Sequence, residues 1–156
     1  MYWREKNSIF KKNQGSRNKR AIKKLIFDKK VPGLLAYDDK NPVWWCSVSP
    51  RVDFIRLENS RVLKPVDDKR VWSVVCFFID RKYRNKGLNV ALLNATKKYV
   101  KSKNGKIIEG YPIEPTQNKM PAAFAWTGLS AAFKKANFKE VARRSENRPI
   151  MRFYLK

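Results

Sequence analysis

The run Val71-Trp72-Ser73-Val74-Val75-Cys76-Phe77-Phe78-Ile79-Asp80 constrains the fold more than any other part of this 156-residue chain. It is apolar at both odd and even positions, so a strand made from it has two faces to hide. Other elements must cover both sides, which points to a layered α/β arrangement with this strand near the middle. The chain length suits one domain, 1–156, and the apolar content of 43% is ample for one core. Residues 1–17 read as a basic, loosely ordered N-terminal segment.

Directly after the strand comes RKYRNKGLNVALLNA, residues 81–95. It begins as a basic turn with a single glycine and continues as a small-residue apolar helix. A helix start leaves backbone N–H groups unpaired at the positive end of the helix dipole, and both suit phosphate. Glycine lets a ligand approach the backbone closely. The turn lacks the three glycines and following acid of a dinucleotide fingerprint. It also lacks the Gly-Lys-Ser/Thr of a nucleoside-triphosphate loop.

The remaining elements follow from period and punctuation. Residues 18–29 place Ala21, Ile22, Leu25 and Ile26 on one helical face, with Asn18 as a candidate N-cap. Val31-Pro32-Gly33 ends that helix. Residues 34–37 and 43–48 read as a β-hairpin around the turn at 38–42. Ser49-Pro50 reads as the start of a short helix through about Glu58, with Val52, Ile55 and Phe54 inward. A helix over 87–103 carries Leu88, Ala91, Leu92, Ala95 and Tyr99 at helical spacing and ends at Asn104-Gly105. Residues 106–113 form another strand, 114–126 a loop, 127–136 a helix, and 138–143 and 148–155 two closing strands. The order is α, β-hairpin, short helix, β, α, β, α, β, β.

Composition removes several chemistries. The chain has no histidine, so Ser-His and Cys-His nucleophile pairs and histidine-ligated metal are excluded. The two cysteines, Cys46 and Cys76, lie inside apolar strands and read as buried free thiols. No metal is expected. No segment offers the ~20 consecutive apolar residues of a membrane span, and MYWREKNSIFKKNQ has no apolar signal core, so a cytoplasmic protein is the expectation. The net charge of +23 favours anionic ligands. Residues 81–108 alone hold nine Lys/Arg and no acid. No helix-turn-helix spacing, zinc finger or aromatic RNA-binding motif accompanies that charge, which argues against nucleic acid as the primary ligand.

The block FFIDRKYRNKGLNVALL resembles the strand-loop-helix signature of the GNAT superfamily of N-acetyltransferases. The family's pyrophosphate loop, Arg/Gln-x-x-Gly-x-Gly/Ala, is matched by Arg84-Asn85-Lys86-Gly87-Leu88-Asn89. NPVWWCSV is similar to the family's hairpin strand, LSAAFKKANFKEV to its late helix and strand, and RPIMRFYL to its last strand. The resemblance covers about residues 20–155. It implies a mixed, mostly antiparallel sheet whose central strand pair splays apart, flanked by helices. It also implies an enzyme of the acyltransferase class that moves an acetyl group from acetyl-CoA to a primary amine. Two positions depart from the pattern. Asn89 stands where the loop prefers Gly or Ala, and Phe133 stands where a tyrosine often protonates the leaving thiolate.

The resemblance assigns the pyrophosphate to Arg84, Asn85, Lys86, Gly87, Leu88 and Asn89. It assigns the pantetheine arm to strand residues Phe77, Phe78 and Ile79. Period two along 106–113 puts Ile107, Glu109, Tyr111 and Ile113 on one face. Glu109 is therefore the candidate base and Tyr111 the candidate acid, beside the implied thioester. Trp44 and Trp126 are candidate acceptor contacts. The acceptor amine is not specified, and the chain is expected to act as a monomer or homodimer. The competing reading is a catalytically silent acyl-CoA-binding module on the same fold.

Overall fold

The computed structural model describes residues 1–84, 86–115 and 122–156. Six strands form one sheet: β1 (Leu34–Asp38), β2 (Asn41–Pro50), β3 (Trp72–Ile79), β4 (Ile107–Gly110), β5 (Lys139–Arg143) and β6 (Pro149–Tyr154). Their order across the sheet is β1-β2-β3-β4-β6-β5. Only β3 and β4 run parallel; the other neighbours are antiparallel. This is the mixed, mostly antiparallel sheet expected, with the apolar 71–80 run at its centre.

Both faces are covered. On one face α4 (Leu88–Ser102) and α5 (Ser130–Lys135) bury Leu92, Leu93, Val100 and Phe133 against Cys46, Val48, Val74, Phe77 and Ile108. On the other face lies a second cluster: Trp3, Phe54, Leu57, Leu63, Val75, Tyr111 and Ile150. Tyr2 and Trp3 of the N-terminal segment and the short α3 (Ile55–Glu58) belong to this second side, while α1 (Asn7–Lys12) and α2 (Ser16–Phe27) bury no residue. The first residues, expected to be loose, are anchored. Trp3 is 9% exposed, and its indole Nε1–H donates to the Val75 carbonyl at 3.0 Å.

Several boundaries differ from the sequence reading for identifiable reasons. Helix α2 starts at Ser16 behind Gly15, which supplies φ 77°. Asn18 lies inside the helix and donates its Nδ2–H to the Phe10 carbonyl (3.2 Å) instead of capping. Strand β2 runs on through Ser49 to Pro50, which pairs with Trp72 as the last residue of the ladder, where a missing N–H costs least. Val52 is consequently turned out, 83% exposed, while Phe54 and Leu57 go inward. In α4 the buried face is Leu92, Leu93, Thr96 and Val100, and Ala91 and Ala95 face solvent. The loop over 114–126 contains a 3-10 segment, Ala122–Thr127; residues 116–121 lie outside the described residues.

Candidate active site

The central strands part company after three paired residues. Trp72, Ser73 and Val74 of β3 face Ile108, Glu109 and Gly110 of β4. Beyond Gly110 the chain turns to a different partner: the Ile113 amide donates to the Gly128 carbonyl (2.9 Å), and the Ser130 amide donates to the Ile113 carbonyl (2.9 Å). From Val75 to Ile79, β3 is paired by β2 alone among the described residues. A bulge sharpens the divergence. Ser47 faces Cys76 and Val48 faces Val74, so Val75 is an extra residue in β3. The result is a wedge-shaped opening with unpaired strand edge on its β3 side.

Phe133 sits in that wedge. It is fully buried, with its ring edge-on to Phe77 (6.1 Å between centroids) and to Phe138 (5.1 Å). Gly110 is what admits it: a Cβ at residue 110 would lie 2.1 Å from Phe133 Cε1. Phe77 therefore points to the α4 side, whereas Phe78 points the other way and is 58% exposed. Ile79 ends the strand opposite Trp44.

The basic turn follows without a gap. Asp80 Oδ1 accepts from the Lys82 amide (2.9 Å), and Arg84 Nε–H donates back to the Ile79 carbonyl (3.2 Å). The Tyr83 hydroxyl donates to Asp38. These contacts fold 80–84 into a compact corner that aims the chain at α4. Gly87 then adopts φ 71°, a left-handed geometry that side chains resist, and hands over to Leu88, the first residue of the helix. Among the described residues nothing beyond its chain neighbours lies within 4 Å of where a Cβ of Gly87 would be. Arg84, Lys86 and Gly87 are exposed and Leu88 and Asn89 half-buried. Asn85 lies outside the described residues. Asn89 Oδ1 is buried with no hydrogen-bond partner among the described residues.

Glu109 and Tyr111 meet, as strand spacing predicts, but far from solvent. Both are 0% exposed. Glu109 Oε1 accepts from Arg51 Nη1 (2.9 Å) and from the Tyr111 hydroxyl (2.7 Å), while Oε2 accepts from Arg152 Nε (2.6 Å). Arg152 continues to Asp67 (2.7 and 3.0 Å) and Arg51 to Glu58 (2.7 Å). Tyr111 also shares a hydrogen bond with Ser73 (2.8 Å). Burial, and next the Glu109 charge, push the Tyr111 phenol well above its ordinary range, so it holds its proton firmly. A fully buried carboxylate with both oxygens bonded in this way presents no face to solvent. The expected base and acid instead tie β4 to β6, β3 and the segment after β2.

The two tryptophan expectations divide. Trp126 lies on the Trp3 side, with ring centroids 5.6 Å apart. Trp44 packs on the opposite, α4 face, edge-on to Tyr83 (5.7 Å). Strand alternation gives the Trp126 side to Trp45, which the sequence reading passed over. Burial raises both thiols, Cys46 to about 12 and Cys76 to about 11, so each is a neutral S–H. Among the described residues no cluster of acids and cysteines could hold a metal. No helix is long and apolar enough to cross a membrane among those residues.

Neither a protein-family model nor a curated protein matches the chain in sequence. Solved structures do match in shape. One is yncA from Salmonella typhimurium with its cofactor acetyl-CoA, at TM-score 0.59 and 13% identity, covering 91% of this chain and 75% of that one. Another is the PaiA N-acetyltransferase from Thermoplasma acidophilum in complex with coenzyme A, at 0.55 and 15%, covering 90% and 72%. A third is a GNAT-family acetyltransferase from Desulfovibrio desulfuricans, at 0.52 and 14%, covering 78% and 67%. At these identities the likeness is one of fold.

Proposed function

From a chain with the fold of the GNAT acetyltransferases, we propose an acetyl-CoA-dependent N-acetyltransferase acting on a primary amine. One observation carries the reading. The strand that loses its neighbour at Val75 is the same strand that runs through the basic corner into the N-terminus of α4. An unpaired strand edge can hydrogen-bond the amides of a pantetheine arm, and the helix start can take a diphosphate. In a coenzyme A ester these two groups belong to one molecule. Two of the structural neighbours are described with coenzyme A or acetyl-CoA, which supports the same ligand here.

In this reading the Phe77–Ile79 edge aligns the arm, and a strand amide of Phe77 or Phe78 polarises the thioester carbonyl. Arg84, Lys86 and the backbone from Gly87 to Asn89 surround the diphosphate. The amine attacks the thioester carbon, and the nitrogen sheds its proton to water. Glu109 and Tyr111 brace the strand that forms the far wall of the wedge. The thiolate leaves without a tyrosine donor, because residue 133 is Phe.

That missing donor favours the second reading, a module that binds acyl-CoA without turning it over. Release of free thiol from acetyl-CoA across a panel of primary amines separates the two. Amine-dependent release is expected. Tight binding of acetyl-CoA with no release above the hydrolytic background would establish the silent module instead.

A further inference from the structure

With 36 Lys/Arg against 13 Asp/Glu, an exposed cation without an acid is ordinary in this protein, because water solvates it. An arginine that has given up part of that water needs other partners. Most of the buried and half-buried arginines have them. Arg4 meets Asp53 (3.5 Å), Arg51 meets Glu58 and Glu109, and Arg152 meets Glu109 and Asp67. Arg144 bonds the carbonyls of Val62, Lys64 and Pro65. Arg56 and Arg148 are half-buried and meet no acid among the described residues. Residues 85 and 116–121, outside that set, include no Asp or Glu. Arg148 makes one hydrogen bond among the described residues, from Nη1 to the Thr127 hydroxyl oxygen (3.0 Å), so most of its five N–H donors remain for another partner. Burial pulls its guanidinium below the ordinary range. Arg56 stacks on the Tyr2 ring (3.7 Å) and makes only long contacts, to the Tyr2 carbonyl (3.4 Å) and Asn7 Oδ1 (3.5 Å).

Both arginines line one open cleft of about 510 Å³, with the exposed Lys6 as its third cation. Among the described residues no Asp or Glu lines it. Glu58, next in sequence to the wall residue Asn59, is turned to Arg51 (2.7 Å). Two hydroxyls add to the donors. Ser60 Oγ accepts from the Leu63 amide (3.0 Å), which leaves its proton to donate, and Ser145 Oγ is buried with no partner among the described residues. We propose that this cleft is an oxyanion site, taking the carboxylate or phosphate of a small ligand on Arg56 and Arg148. Guanidiniums form paired, charge-assisted bonds to such groups, and a group that only accepts suits charged walls that only donate. The cleft adjoins the wedge. Trp3, in its wall, bonds the Val75 carbonyl (3.0 Å). Thr127, held by Arg148, precedes Gly128, where a Cβ would lie 2.9 Å from the rings of both Phe77 and Phe133. The site stands on its own geometry; its role rests on the acetyltransferase reading, in which the acceptor is an amine that also carries an acidic group. A polyamine would bring further positive charge to three cations and is disfavoured.

The test follows the amide and guanidinium N–H signals of residues 56, 60, 145 and 148 by NMR, with acetyl-CoA absent. Sodium phosphate or sodium butyrate is added to the full-length protein, and sodium chloride holds the ionic strength constant. Saturable movement of these signals is expected. The anion that saturates at lower concentration identifies the group, phosphate or carboxylate. Phosphate is also expected at the start of α4, so only these four residues are scored. Arg148→Gln should weaken the response at least tenfold. Retained dispersion of the tryptophan indole signals shows that the variant folds; if it does not, Arg56→Gln is used, with the same expectation. Thiol release from acetyl-CoA is then compared for 4-aminobutanoate, 2-aminoethyl phosphate, n-butylamine and 1,4-diaminobutane. At least one acidic amine should exceed the neutral and dicationic ones tenfold in kcat/KM, and Arg148→Gln should remove that preference through KM. No saturable movement with either anion, or a response that Arg148→Gln and Arg56→Gln both leave unchanged, overturns the site. Turnover of n-butylamine equal to that of both acidic amines overturns its role in choosing the acceptor. Anion-dependent movement with no thiol release from any amine establishes the site and contradicts the acetyltransferase reading instead.

Discussion

Glu109 shows how much of a residue's role is set by partners far away in the chain. Its spacing from Tyr111 correctly places the two on one strand face, and the hydroxyl does reach the carboxylate (2.7 Å). What the spacing cannot supply is Arg51, 58 residues earlier, and Arg152, 43 residues later, which close over both carboxylate oxygens. A carboxylate and two guanidiniums can share the interior only if each finds its complement, and removing one member leaves charge exposed to a medium that solvates it poorly. Glu109→Gln is therefore expected to cost about 3 kcal/mol of folding stability by denaturant titration. Amine turnover per folded molecule should stay within about threefold of the parent, a change of under ~1 kcal/mol in barrier. A variant of unchanged stability with turnover lost a thousandfold would restore Glu109 as the base. The tryptophan pair carries a similar lesson. Trp44 and Trp45 are equivalent in composition, and only the hairpin register decides which faces the Trp126 side.

The elements were legible in proportion to how local their determinants are. The 71–80 strand, the helix after Gly87 and the two closing strands follow from apolar period and turn residues, and they appear with small shifts of boundary. The last two residues of β2 escaped because Ser49-Pro50 is a sound helix start in isolation; pairing of Pro50 with Trp72 overrode it. The buried stripe of α4 was misplaced because small alanines satisfy a helical period from either side. The splay itself left a sequence signal that went unread: Gly110, whose lack of a side chain makes room for Phe133. Gly110→Ala is expected to destabilise the protein by about 2 kcal/mol through overpacking. Adding Phe133→Leu should return part of that loss, because the clash is with the ring. Thermal or denaturant unfolding of the two single variants and the double variant measures this. Strictly additive destabilisation would show that Gly110 and Phe133 do not compete for the same space.

At the scale of the whole molecule, the charge of +23 is spread over a surface with few acids, and some acids are shared by more than one cation. Glu114 is the clearest case. Lys134 (2.7 Å), Arg143 and Ser130 (3.0 Å) all bond its carboxylate and hold it at about 2, below the ordinary 4.5. A carboxyl depressed in the folded state adds stability that is fully present above its unfolded pKa, near 4.5, and is lost as pH falls toward about 2. The melting-temperature gap between the parent and Glu114→Gln should thus be level above pH ~5 and shrink steadily below pH ~4.5. It should be modest throughout and smaller in high salt, because the pair is partly exposed. A gap that is the same at pH 3 and pH 7 would contradict the assignment.

The basic corner at 80–84 draws on the same surplus of charge, and in the proposed reading Asp80, the Arg84 bond to Ile79 and the left-handed Gly87 shape it for a specific anion. Calorimetric titration of the protein with acetyl-CoA at physiological salt tests that claim most directly. Binding of one molecule per chain with a micromolar Kd, about −8 kcal/mol, is the predicted result. The absence of any saturable heat at protein and ligand concentrations of ~1 mM would contradict it.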